Sequence, residues 1–426
     1  MILSSKIKER EIHKNEIQKI LFIIPLMFFV FGIFIEMVVY KDFNSLLKNL
    51  LKILLSETIL VTDFLDIGGI GASFINASLI GFLNLYILKK KQMRINGLLI
   101  AAFMTVLGFS FFGKNLFNIL PIYMGGYLYA KFQRINSRDI ILVIMFSTAL
   151  APIVSEISYG GLFLYPYSII IGIFVGILIG FIIVPLSSHM LKFHDGFNLY
   201  NIGFTAGILG TVFASILKSF NLNLKANSNL YMEINLYMIS FFFIIFIYFI
   251  VIGLYINKNA LKEYIKIFKY KGRTITDFTH LVGYGLTFFN MGILGVIALT
   301  YVIIVGGIVN GPVIAGIFTI VGFGAFGKHI KNCLPIVLGV LLGAYLMGYN
   351  ISETGIIVSV MFSTTLAPIA GTYGVIPGII AGFLHMAIVT NIGIIHGGIN
   401  LYNNGFSGGL VAGFLVPIID AFKKGD

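Results

Sequence analysis

The chain has 426 residues, 58% of them hydrophobic and only 11% charged, with a formal net charge of +12 and a mean hydropathy of +0.98. A soluble domain needs a polar surface that this composition cannot supply, so the chain reads as an all-α polytopic membrane protein. The single Cys333 excludes an intrachain disulfide and a cysteine-cluster metal site, and the seven histidines show no His-Glu-x-x-His spacing. No cofactor is expected.

In chain order, residues 1–19 form a basic tail, read as cytoplasmic. Leu21 to Tyr40 is long enough to span a bilayer and too long for a signal-peptide core, so it reads as an uncleaved first helix. About 14 apolar segments follow one another, near 20–40, 69–88, 96–113, 116–131, 139–154, 160–186, 199–217, 235–256, 281–303, 311–326, 330–348, 355–370, 373–395 and 400–419. Several, such as 116–131, 139–154 and 355–370, fall short of the roughly 17–25 residues of a full span. Some of these are candidates for re-entrant half-helices, which need protein or water around their ends. Residues 43–62 are amphipathic, with Lys48 and Lys52 four apart, and predict an interfacial helix; 257–276, with Lys262 and Lys266, predicts its counterpart.

The chain is an internal duplication. Thr62-Asp63-Phe64 matches Thr276-Asp277-Phe278, Asn76 matches Asn290, and Asn96 matches Asn310, all 214 residues apart. TVLGFSFFGK (105–114) matches TIVGFGAFGK (319–328), and MFSTALAPI (145–153) matches MFSTTLAPI (361–369). HDGFNLYNIGFTAG (194–207) matches HGGINLYNNGFSGG (396–409). Membrane repeat 1 is assigned to 20–218, an extracytoplasmic linker to 219–234, membrane repeat 2 to 235–420 and a cytoplasmic tail to 421–426.

Lysine and arginine prefer the cytoplasmic side. With both termini inside, most of them fall in inside loops, so the positive charge is a topology signal and no nucleic-acid partner is implied. KKKQMR (89–94) corresponds to the uncharged IIVGGI (303–308). With an odd number of crossings per unit, the second copy lies upside down. Such an inverted-topology repeat points to a transporter or channel with its site between the halves.

The late motif in each half carries the first candidates. Asn198, Tyr200, Asn201 and their twins Asn400, Tyr402, Asn403 would offer amides, hydroxyls and unwound backbone to a small polar solute. The alternative is helix-packing glue. Asn76 and Asn290 would converge on the same path or cap a broken helix. Lys114 and Lys328 close the G-F-x-x-F-G-K motif. An intramembrane lysine would mark an anion or proton site, but a lysine at a segment end snorkels to the interface, and that reading is favoured here. Phe109, Phe112, Phe323 and Phe326 would pinch a pore or simply pack. Thr148 and Thr364, upstream of Pro152 and Pro368, satisfy carbonyls freed by the proline or line the path. His194 and His396 read as caps with a proton-coupling role as the alternative; Asp63 and Asp277 read as helix N-caps. Glu36 has no twin, since position 250 is Ile.

On these motifs the chain resembles a family of uncharacterised prokaryotic integral membrane proteins with two internal copies of one unit. It is more distantly similar to urea transporters, through Asn76-Ala-Ser-Leu-Ile-Gly and Asn290-Met-Gly-Ile-Leu-Gly early in each half. Leu199-Tyr-Asn-Ile-Gly and Leu401-Tyr-Asn-Asn-Gly are the late counterparts. The chain departs from that pattern in having no Pro after either early Asn and an extra Asn before each late Tyr. The resemblance implies facilitated passage of a small polar solute through a multi-pass protein of the prokaryotic cell membrane, assembled as a homo-oligomer. The expected class is therefore a transporter or channel and not an enzyme, with the lipid bilayer as its surroundings. The alternatives are a gradient-coupled secondary transporter of another small substrate, or a membrane enzyme acting on a lipid through His194, Asp195 and Lys192.

Overall fold

The computed structural model describes residues 14–58, 62–222, 229–273 and 275–422. Among them no strand forms beyond isolated bridges. The first half carries α1 (Lys14–Phe34), α2 (Ser45–Leu55), α3 (Phe64–Lys90), α4 (Gly97–Phe109), α5 (Leu116–Gln133), α6 (Ser137–Ser147), α7 (Ala151–Tyr159), α8 (Tyr167–His194) and α9 (Asn201–Ser219). The second carries α10 (Leu236–Ile256), α11 (Ala260–Glu263), α12 (Phe278–Leu281), α13 (Gly283–Ile304), α14 (Gly311–Phe323) and α15 (Ile330–Leu346). It ends with α16 (Thr354–Ser363), α17 (Ala367–Tyr373), α18 (Val375–Ile392) and α19 (Asn403–Phe422).

The two series run in the same order, with α12 and α13 together standing opposite α3. Gly69 in α3 (φ 77°) and Gly283 at the start of α13 (φ 80°) take the left-handed conformation at equivalent positions and bend the chain there. Asn96 caps α4 by accepting from Leu99 N, and Asn310 caps α14 by accepting from Val313 N. Reciprocal capping boxes start α5 (Asn115 with Asn118) and α15 (His329 with Asn332). Each such cap stabilises its helix by about 1 kcal/mol.

Ten helices among the described residues are long and apolar enough to cross a membrane, against the fourteen apolar segments of the sequence. The four segments that fall away are those of α4, α5, α14 and α15. α4 and α14 have 13 residues each, about 20 Å of helix, whereas the hydrocarbon core is about 30 Å thick. α6 and α7 join through a single 3-10 turn at Thr148–Leu150 into one span, Ser137–Tyr159, and α16 and α17 join likewise through Thr364–Leu366 into Thr354–Tyr373.

The interfacial helix expected over 43–62 forms as α2, while residues 59–61 lie outside the described residues. Its expected counterpart over 257–276 is not one helix. It consists of the four-residue α11 and a 3-10 stretch, Tyr264–Lys269. Ile267 turns inward there, fully buried, and Tyr264 Oη donates to Asn290 Oδ1 at 2.9 Å, which pulls the chain down onto α13.

Lipid tails are as apolar as the side chains they meet, so tight packing supplies much of the helix association. α5 lies against α8, and α15 against α18, through glycines. A Cβ at Gly125 would stand 2.0 Å from Ile177 O, and one at Gly339 the same 2.0 Å from Ile379 O. Between the halves, α4 and α14 run antiparallel. Gly97 at the start of α4 abuts Ala325 O beyond the end of α14, and Gly311 at the start of α14 abuts Phe111 O beyond the end of α4. Rings from α1, α3, α10 and α14 close the same interface, with Phe28 against Phe318 at 5.6 Å and Phe74 against Phe242 at 5.7 Å.

Asp63 and Asp277 do cap helices, and each also reaches across. Asp63 accepts from Leu65 N at 2.9 Å and from Gly311 N and Tyr231 N at 3.1 Å each. Asp277 accepts from Thr279 N at 2.9 Å and from Gly97 N at 3.1 Å. Each aspartate thus caps the half-length helix of the opposite half.

Candidate functional site

Each half leaves helical geometry at three places: after α4, at the 3-10 turn inside the α6–α7 span, and in the loop before α9. The twins lie after α14, inside α16–α17, and before α19. The breaks interlock. Leu199 N donates to Thr365 O and Leu401 N to Ala149 O, both at 3.0 Å. Asn198 Nδ2 donates to Gly405 O at 3.0 Å and Asn400 Nδ2 to Gly203 O at 3.3 Å, while their Oδ1 atoms accept from Tyr200 N and Tyr402 N. These asparagines splice the late loop of one half onto the first turn of the other half's last helix. Unwound backbone buried this deeply needs such partners.

The loops after α4 and α14 are tied just as firmly. Asn76 Nδ2 donates to Ser110 O at 2.7 Å and Lys114 O at 2.9 Å; Asn290 Nδ2 donates to Gly324 O at 2.7 Å and Lys328 O at 2.9 Å. Gly113 (φ 76°) and Gly327 (φ 86°) turn the chain inward immediately before each lysine.

Both lysines are therefore aimed into the protein. Lys114 and Lys328 are each 0% exposed, which overturns the interfacial reading of the G-F-x-x-F-G-K motif. The glycine turn and the asparagine clamp hold the stem inside, where it cannot snorkel. Lys114 Nζ donates to Thr148 Oγ1 at 2.9 Å and to Tyr402 Oη at 2.6 Å. Lys328 Nζ donates to Thr364 Oγ1 at 2.7 Å and to Tyr200 Oη. Each ammonium also lies over a ring of its own motif, Phe109 at 5.1 Å and Phe323 at 5.2 Å. Neither has a carboxylate within ion-pair distance among the described residues; ion pairs there include Lys266–Glu263 and Arg273–Asp195.

Beside these clusters lies a cavity of about 400 Å³. Tyr200 and Tyr402 form part of its wall, together with Phe109, Phe323, Phe326, Phe362 and Asn201. The rings run continuously from one lysine to the other: Tyr402 to Phe109 at 4.6 Å, Phe109 to Phe362 at 5.5 Å, Phe362 to Tyr200 at 6.1 Å. Thr105 also lines the cavity, and its buried Oγ1 has no hydrogen-bond partner among the described residues. The lining contains no Asp, Glu, Lys, Arg or His. The exposed Ser188, Leu191 and Ile275 border it on one side, at the end of α8. The twins of the first two, Thr390 and Gly393, do not line it.

The sequence candidates thus separate into walls and supports. Tyr200, Tyr402, Asn201, Phe109, Phe323 and Phe326 reach the cavity; Asn76, Asn198, Asn290, Asn400, Asn403 and Phe112 do not. Asn201 Nδ2 donates to Ser187 O and its Oδ1 pairs with His194 Nε2 at 3.0 Å; Asn403 and His396 repeat the pair at 2.8 Å. Thr148 and Thr364 also donate to the carbonyls of Met145 and Met361, so they satisfy backbone and seat the lysines at once. His194 faces Asn201 while Asp195 pairs with Arg273 at 2.9 Å, so the two side chains do not form one cluster. Phe362, Thr105, Thr365 and the pairing of His385 with Asn404 and Ser407 at 3.0 Å each are not among the sequence candidates. Phe362 and Thr105 were marked, since both sit inside the repeated motifs. His385 has no twin (position 183 is Ile), and nothing in the repeat flags it.

Fold and buried cluster together define a polytopic helical membrane protein made of two repeat-like halves. The chain belongs to the family described as "Protein of unknown function (DUF1576)", whose model matches residues 43–219 and 256–421, one stretch in each half. No curated protein and no solved structure matches it. The likeness to urea transporters therefore stands on its short motifs alone.

Proposed function

We propose that this protein is a membrane transporter for a small polar solute, with its path between two halves of opposite orientation. The observation that carries the reading is a cavity walled by both halves at the point where their paired helices are broken. Interrupted helices facing each other across a repeat axis are how secondary transporters build a binding site. The antiparallel run of α4 and α14 supports the inverted relation of the halves, as does the charge asymmetry between KKKQMR (89–94) and IIVGGI (303–308). The exposed rim formed by Ser188, Leu191 and Ile275, which the twins of the first two do not repeat, favours gated transport over an open pore. Exchanging the conformations of the two halves would close the α8 side and open the side of Thr390 and Gly393. By the distribution of lysine and arginine, the α8 side is cytoplasmic.

The test is solute flux in proteoliposomes, comparing the unaltered protein with Thr105→Phe, which fills the cavity from its wall. Flux that falls to the level of empty vesicles in a variant with an unchanged gel-filtration profile supports the reading. Flux that persists through the filled cavity overturns it.

A further inference from the structure

Building on the transport reading, we infer that the solute is a small monovalent anion, held between Tyr200 and Tyr402 and drawn there by Lys114 and Lys328. Two lysine amines buried with no carboxylate within ion-pair distance are costly to keep charged unless an anion joins them, and residues of that kind in a membrane mark the path of a charge. Here the missing counter-charge fits the cavity. Neither Nζ reaches the cavity wall. Each acts through a tyrosine whose Oη accepts its hydrogen bond and which itself lines the cavity. Polarised in this way, a phenol is a stronger donor to an anion.

Three further features carry the same sign. Asn201, Ile202 and Gly203, the first turn of α9, line the cavity, and Tyr200 supplies no side-chain cap to that turn. Uncapped N–H groups at a helix start favour negative charge. Asn404 and Gly405 bring the first turn of α19 to the same wall. Thr105 Oγ1 adds a buried hydroxyl with no partner of its own. Against these, the lining holds no acid.

The remaining walls decide between anions. Phe109, Phe323, Phe326 and Phe362 replace little of a hydration shell, so a strongly hydrated dianion such as sulfate is disfavoured against formate, acetate, nitrate or chloride. A neutral amide such as urea gains nothing from either lysine.

The experiment has two readouts on the full-length protein. Thermal shift in detergent reports binding, and solid-supported-membrane currents from proteoliposomes report movement, across formate, acetate, nitrate, chloride, sulfate and urea. The inference expects one or more of the monovalent anions to stabilise the protein and carry saturable current. Lys114→Met/Lys328→Met should weaken both by about tenfold or more, the scale of losing charge-assisted hydrogen bonds. If every variant of the lysines fails to fold, the unaltered protein still decides. Sulfate or urea preferred to all four monovalent anions overturns the inference and leaves transport standing. Anion binding without any current upholds the anion site and overturns transport. No response to any monovalent anion overturns the inference.

Discussion

Lys114 and Tyr402 lie 288 residues apart and meet inside the membrane domain, Nζ to Oη at 2.6 Å. Lys328 and Tyr200 form the twin contact. Each half thus supplies the lysine that meets the other half's phenol.

The two partners should respond differently to deletion. Lys114→Met replaces a buried amine whose partners are hydroxyls by an apolar chain of similar length, leaves no charge unpaired, and should change stability by no more than about 1 kcal/mol. Tyr402→Phe leaves the ammonium with one acceptor fewer and should destabilise by about 1–3 kcal/mol. Melting curves in detergent check this pair. A Lys114→Met variant less stable than Tyr402→Phe would mean that the lysine is there for the fold.

The aspartate caps should be strong and shared between halves. Asp63→Ala removes three backbone partners from two halves and should cost about 2 kcal/mol or more. Asp277→Ala should cost slightly less, since it serves Gly97 N, Thr279 N and the Thr279 hydroxyl. Denaturant titration of each variant reads the order, and an Asp63→Ala variant as stable as the parent contradicts the cross-cap.

Glycine substitutions should split by position. Gly125→Ala places a methyl 2.0 Å from Ile177 O, which forces α5 from α8 at a cost of about 1–3 kcal/mol. Gly355 in α16 has no atom within 4 Å of an added Cβ, so Gly355→Ala should be neutral or stabilise by up to about 1 kcal/mol. Equal melting temperatures for the two variants would contradict the packing described.

Much of this was legible in the sequence because the duplication marks it. Asn76 with Asn290, and Tyr200 with Tyr402, stood out as pairs, and pairs proved to lie together at the breaks. The caps at Asp63 and Asp277 were readable from local chemistry, since an acid before an apolar run is an N-cap signal. Lys114 was misjudged because segment ends were read as membrane surfaces, whereas α4 stops short and its end lies inside. The same fact removes α4 and α14 from the expected spans, because apolar length alone does not separate a half-helix from a crossing. Asn76 and Asn198 were assigned to a solute, yet buried unwound backbone takes their amides first. His385 was invisible for want of a twin.

The most direct test of a path between the halves uses Ser188→Cys in a Cys333→Ala background, since Ser188 sits exposed at the rim of the cavity. Solute flux in proteoliposomes is measured before and after reaction with a bulky thiol reagent, with Thr390→Cys as the twin outside the cavity. The account predicts that modification at 188 stops flux, that bound solute slows this modification, and that solute leaves labelling at 390 unchanged. Flux that continues undiminished after complete modification at 188 would contradict it.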